Sequence, residues 1–211
     1  MTTHIMFDID GTLVQSFEFD ELLFVEAVKA VTGLKINDDW ENYPNVTDAG
    51  LIRTFCEQTG KQNEFEQLHD QIKTCFVKKI DRHLKQNQVK QTAGASEFLS
   101  MLRRDPKYHI SIATGGWGET ARLKLNSAGI DIDGIPLRSS NDDYRRTHIM
   151  QQAAVVANTI YFGDGSWDKK ACQILGYDFI AVGPRIGHLK HVKDFTNPDK
   201  ILGMIESITT R

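Results

Sequence analysis

What the chain has little of narrows its function first. It has three cysteines in 211 residues, Cys56, Cys75 and Cys172, far apart and odd in number. That argues against a disulfide framework and against a metal site built of cysteine; reduced, mostly buried thiols in a cytoplasmic setting are expected. A long apolar run is missing, so no membrane-spanning helix is expected, and "MTTHIMFDID" lacks the apolar stretch of a signal peptide. Strong net charge is missing too. At −3 the chain has no global field to draw it to nucleic acid or to an anionic membrane. No internal repeat and no low-complexity linker stands out. What remains is an ordinary soluble composition, 40% hydrophobic and 25% charged, in a chain that suits one domain with a modest insertion.

Residues 4–7 form a short apolar run that ends in acids, the pattern of a buried strand. From residue 17 to about 90 the pattern turns helical. "FDELLFVEAVKAVTG" sets Leu22, Val25, Ala27, Val28 and Val31 on one broad face, and "TDAGLIRTFCEQTG" repeats the logic with Thr47 or Asp48 as N-cap. A long helix follows with Phe65, Leu68, Ile72, Phe76 and Ile80 inward, its lysines and Arg82 a solvated face. After residue 91 helices at 93–104, 119–128, 143–157 and 168–175 alternate with the runs "YHISIAT", "IPLRSS", "TIYFGD" and "YDFIAVG". Apolar runs between helices signal a parallel sheet covered on both faces. The expected fold is therefore α/β, a Rossmann-like parallel core from residues 1–15 and 91–211, interrupted after its first strand by an all-helical segment, 16–90.

Ligands of open parallel sheets sit beyond the carboxyl ends of the strands. Three predicted strands end there in groups fit for chemistry: Asp8 and Asp10, Thr114, and Asp164. "DIDGTLV", "ISIATGG" and "GDGSWD" resemble, in order, the first, second and fourth motifs of the haloacid dehalogenase-like hydrolases, and the likeness spans essentially the whole chain. That resemblance implies a phosphatase fold with a small helical cap inserted after the first motif, and "YPNVTDAGLIRTF" is similar to a cap stretch of phosphoglycolate phosphatase-like members.

Such a site would hydrolyse a small phosphate monoester. Asp8 is the expected nucleophile, forming an aspartyl-phosphate, and Asp10 the acid that protonates the leaving oxygen and later takes a proton from water. Gly11 lets the chain bend at this point, and Thr12 would orient the acid or donate to the loop. The expected cofactor is Mg²⁺, held by Asp8 and Asp164, with Asp168 as an outer ligand and, by resemblance, the backbone carbonyl of Asp10. Thr114, with the amides of Gly115 and Gly116, would bind phosphoryl oxygens. The family's third motif normally supplies a lysine; "NDDYRRTHIMQQAA" has none and offers Arg145 or Arg146 instead. Thr47, Asp48 and Arg53 are the candidate selectivity residues of the cap.

Plainer readings stand beside these. Asp168 could only cap its helix, Thr47 and Asp48 could only start theirs, and either arginine could be a solvated charge. His188 and His191 read as surface, and "GGWG" is too irregular for a dinucleotide fingerprint. The tetrapeptide "DIDG" recurs at 131–134 without a preceding strand or a following threonine, and reads as a loop. A phosphomutase of the same fold and a catalytically weak phospholigand-binding protein are the alternatives. The expected partner is a small phosphorylated metabolite, with neither nucleic acid nor membrane involved, and the chain itself a monomer or homodimer.

Overall fold

The structure is a computed structural model and describes residues 2–156 and 158–210. Six parallel strands lie in the order β3-β2-β1-β4-β5-β6. They are β1 (Thr3–Phe7), β2 (Tyr108–Ala113), β3 (Leu137–Arg138), β4 (Thr159–Gly163), β5 (Asp178–Val182) and β6 (His191–Val192). This is the α/β core expected from the apolar runs. Between β1 and β2 come α1 (Phe17–Thr32), α2 (Asp48–Gln58) and α3 (Phe65–Gln86), then α4 (Ala95–Arg104). The other strands alternate with α5 (Gly118–Ser127), α6 (Arg146–Ala153) and α7 (Ser166–Leu175), and α8 (Pro198–Thr209) closes the described chain. Neither β6 nor α8 belongs to the sequence reading: a two-residue strand carries no periodic signal, whereas α8 does carry one in the spacing of Ile201, Ile205 and Ile208 after Pro198. Among the described residues no helix is long and apolar enough to cross a membrane.

All five residues of β1 are buried, which only a central strand covered on both faces allows. Ile5 and Phe7 face one layer, where Phe7 stacks on Phe162 at 5.0 Å between ring centres and meets Phe98 and Phe195 edge-on. Met6 faces the opposite layer with Ile149, Tyr161 and Ala181. A third cluster lies within the helical insertion and takes in one residue of the core, Trp117 of the "GGWG" turn, which is fully buried against Phe24 and Phe76.

Two helical readings change. On α1 the buried residues are Phe24, Ala27 and Val28, while Leu22 is 58% exposed. Phe24 sets the phase, because its ring fits against Trp40, Phe76 and Trp117, which turns Leu22 outward. The helix expected over 143–157 starts only at Arg146. The Asp143 carboxylate takes the Arg145 backbone N–H at 2.8 Å, holding the preceding residues in a turn. The helix also ends earlier than expected, at Ala153, where Ala154 turns extended at ψ 134°; the expected last residue, Ala157, lies outside the described residues.

His4 interrupts the apolar run of β1 yet is completely buried, its Nε2 2.9 Å from the Ser111 hydroxyl and its Nδ1 3.3 Å from that of Thr159. Burial, helped by His109, lowers its pKa from 6.5 to about 4. The unfolded chain therefore binds a proton between those values that the folded chain refuses, so the stability owed to neutral His4 is complete above pH 6.5 and is lost as pH falls toward 4. We expect His4→Gln to flatten this dependence. Between pH 7 and pH 5 the wild type should lose about 2 kcal/mol relative to the variant, measured by urea unfolding.

Candidate active site

Strands β1, β2 and β4 are neighbours at the centre of the sheet, so their carboxyl ends open onto one place. Asp8, Thr114 and Asp164 stand there, each almost fully buried. The Asp8 N–H still donates to Phe162 O at 2.9 Å, so the ladder itself aims its side chain. Beyond Asp8 the backbone turns at Gly11, whose φ of 78° suits glycine and whose missing Cβ leaves the space filled by the Asp164 carboxylate. Oxygens of Asp8, Asp164 and Asp168 all lie within 4.8 Å of one another. One of them, Asp8 Oδ1, is buried with no hydrogen-bond partner.

The arginines separate cleanly. Arg146, first residue of α6, is buried and lays its guanidinium across the site. Nη1 is 2.5 Å from Asp168 Oδ1, 3.3 Å from the Tyr161 hydroxyl and 3.8 Å from Asp8 Oδ1. Nε and Nη2 donate to Val46 O at 3.3 and 3.2 Å. A side chain at Gly115 would collide with this guanidinium. Arg145 instead forks onto Asp143, Nε at 3.0 Å and Nη2 at 2.9 Å, and points to solvent. Asp168 caps α7, its Oδ2 accepting the Gly165 N–H at 3.0 Å, while its Oδ1 meets Arg146.

A second cation emerges that the sequence did not single out. Lys124 of α5 is completely buried, with Nζ 2.5 Å from Asp10 Oδ1 and 2.6 Å from Asp20 Oδ1 on α1. The Ser16 hydroxyl also donates to Asp10 Oδ1. Its helix reads like any solvated helix, and no local signal marks a lysine that tertiary packing will bury. Arg185, after β5, is a third: Nη1 is 2.7 Å from Asp164 Oδ2, and the guanidinium lies 3.5 Å over the Phe17 ring.

The remaining candidates divide. Thr47 and Asp48 line the cleft. The Thr47 hydroxyl donates to Tyr144 O at 2.6 Å and accepts the Gly50 N–H, so it does cap α2 as well. Asp48 accepts the Trp117 N–H at 2.8 Å and donates its own to Gly115 O, stitching the insertion to the core. Arg53 is not at the cleft: it rests on the rings of Tyr144 and Phe65 and pairs with Glu57. Thr12 is buried with its hydroxyl unpartnered and does not reach Asp10. Asp131 and Asp133 of the second "DIDG" form an exposed turn held by Arg103. His188 and His191 bond to the carbonyls of Phe179 and Gly183.

Crowded acids raise one another. Burial, then Asp168, lifts the Asp164 carboxyl to about 6, and burial lifts Asp20 to about 6 against the pull of Lys124. Burial and Asp168 also push Asp8 well above the usual carboxylate range, with only Arg146 opposing. Burial works against the charges of Lys124 and Arg146, but the carboxylates around them prevail and hold both pKa values above normal.

A family model described as haloacid dehalogenase-like hydrolase matches residues 5–182. The chain belongs to the haloacid dehalogenase-like hydrolases. Among solved structures, a hydrolase from Pseudomonas syringae superposes with a TM-score of 0.75 at 21% identity, covering 97% of this chain and 99% of its own. Beta-phosphoglucomutase from Clostridium difficile gives 0.74 at 17%, covering all of both chains. A predicted phosphoglycolate phosphatase from Haemophilus somnus gives 0.64 at 17%, covering 95% of this chain and 98% of its own. At such identities the likeness is one of fold. No curated protein matches the chain significantly. In this hydrolase, then, the site described above lies at the edge where the family's motifs converge.

Removing Lys124 would leave Asp10 and Asp20 facing each other in a largely dry site. Lys124→Ala is expected to cost about 3–5 kcal/mol in urea unfolding at pH 7. The deficit should shrink by pH 5, as the raised Asp20 carboxyl takes up a proton; a deficit independent of pH would contradict the charge assignment.

Proposed function

We propose that this hydrolase is a Mg²⁺-dependent phosphatase that cleaves a small phosphate monoester through an aspartyl-phosphate on Asp8. The observation that carries the reading is the unpartnered Asp8 oxygen, buried beside the guanidinium of Arg146 and facing a cleft. A buried polar atom without a partner is costly unless a ligand supplies one. Asp8 and Asp164 fit Mg²⁺: both are hard oxygen donors, close together, and a divalent cation would relieve the repulsion by which Asp164 and Asp168 raise Asp8. Asp8, Asp164 and the Asp10 carbonyl would hold it, and Asp168, already engaged by Arg146, would act from outside. Bound there, the ion would offset the negative charge of the incoming phosphate.

In the first step an Asp8 carboxylate oxygen attacks phosphorus, and the bond to the leaving oxygen breaks. Arg146, the Thr114 hydroxyl and the Gly115 amide hold the phosphoryl oxygens. Lys124 and Ser16 fix Asp10 Oδ1, which leaves Oδ2, on the side of Gly116, to carry the proton to the leaving oxygen. In the second step the same Oδ2 takes a proton from water, water oxygen attacks phosphorus, and the bond to Asp8 breaks. Arg146 would take the place of the family's motif lysine, whose absence motivates the alternative of a catalytically weak phospholigand-binding protein. The helical insertion, residues 16–90, acts as the cap over a core of 1–15 and 91–211, with Thr47 and Asp48 as its selectivity residues. A mutase would share the first step and return the phosphoryl group to a substrate hydroxyl.

Phosphate release from p-nitrophenyl phosphate is expected with Mg²⁺ and should stop on chelation. Asp8→Asn should lower kcat by on the order of a thousandfold or more. In chelator, the same substitution should raise the thermal midpoint by a few degrees, because one of the mutually repelling acids is gone. Full activity in Asp8→Asn would remove the proposal.

A further inference from the structure

The wall of the cleft opposite the phosphate end is built by α1, the turn at Trp40 and α7. It carries four aromatic side chains, Phe17, Phe24, Trp40 and Trp167, and the carboxylates of Asp20 and Glu21. One cation borders this wall, Arg185, and it is already engaged. Among the described residues lining the cleft, Arg146 is the sole cation, and it is drawn onto Asp168 and toward Asp8. Lys124 lies beneath the wall, completely buried and held by Asp10 and Asp20. Arg185 is held by Asp164 and lies over the Phe17 and Trp167 rings, which leaves its charge paired with a carboxylate at the phosphate end. Around the leaving group, Asp10, Asp20 and Glu21 thus set three carboxyls against one ammonium, and Glu21 has no ion-pair partner among the described residues.

We infer that the alcohol released by this enzyme carries a positive charge: the substrate is a small phosphate ester of an amino alcohol. A carboxylate or a second phosphate on the leaving group would sit beside Glu21 and Asp20 with no cation to pair with except Arg185, whose charge Asp164 already takes, and a desolvated anion is strongly disfavoured there. A neutral polyol would find few hydrogen-bond partners on four ring surfaces. An ammonium group satisfies both features, since ring faces attract cations and the Glu21 carboxylate neutralises one. The inference rests on the phosphatase reading and names the substrate class of that same site. It also separates this chain from a phosphoglycolate phosphatase, which it resembles in fold.

Three esters of nearly equal size test it with Mg²⁺ and the full chain: aminoethyl phosphate, hydroxyethyl phosphate and phosphoglycolate, with p-nitrophenyl phosphate as a generic control. The expected kcat/KM for aminoethyl phosphate exceeds that for phosphoglycolate by on the order of tenfold or more, with the hydroxyl ester between them. Glu21→Lys should reverse the order, and Glu21→Gln, should the lysine variant not fold, should lower the ratio several-fold. If p-nitrophenyl phosphate is cleaved but phosphoglycolate is used as well as the amine or better, the inference fails and the phosphatase reading stands. The inference fails equally, with the phosphatase reading intact, if neither Glu21 variant lowers the ratio. If none of the four esters is cleaved, the phosphatase reading falls and takes the inference with it.

Discussion

Concentrated negative charge at one edge of the sheet is the constraint around which this molecule is arranged. Asp8, Asp10, Asp20, Asp48, Asp164 and Asp168 crowd a single cleft, most of them shielded from water. Unpaired, such a group of carboxylates would be strongly destabilising. Three cations divide it. Arg146 joins Asp168 and approaches Asp8, Lys124 lies between Asp10 and Asp20, and Arg185 meets Asp164. Even so, burial and neighbouring carboxylates hold the carboxyls of Asp8, Asp48 and Asp164 above their ordinary range. A site left in that condition suits a divalent cation, and it illustrates how stability yields to function at an active site.

The fold delivers this charge with few elements. Three adjacent parallel strands end at the same height, and short loops then carry their polar residues across the opening. Glycine matters where those loops touch: Gly11 passes against Asp164, and Gly115 against Arg146. The helical insertion is bound into the same network and not merely laid over it. Asp20 completes the Lys124 pair, Asp48 holds the Trp117 amide, and Trp117 in return fills the insertion's own apolar cluster. Any movement of the insertion would therefore disturb the position of Asp10 through Lys124.

The central parts were legible because their signals are local. A buried strand announces itself as an unbroken apolar run, and acids or threonine just after it lie at the strand end by necessity. Asp8, Thr114 and Asp164 come together for that reason. Features that depend on tertiary partners were not legible. Arg145 and Arg146 are adjacent and chemically identical, and only the capture of Arg145 by Asp143 decides which one turns inward. Lys124 sits in a sequence that could as well be solvated. Leu22 against Phe24 is settled by the fit of one ring among three others, which periodicity does not encode. Arg53 had the right neighbours in sequence, but its guanidinium found aromatic faces outside the cleft.

The most direct test of the account is to look for the phosphoryl group on the protein. A single turnover of p-nitrophenyl phosphate with Mg²⁺, quenched in acid and examined by peptide mass spectrometry, should show phosphate on the Asp8 side chain. Steady phosphate release with no phosphorylated Asp8, or with the group on another residue, would contradict it.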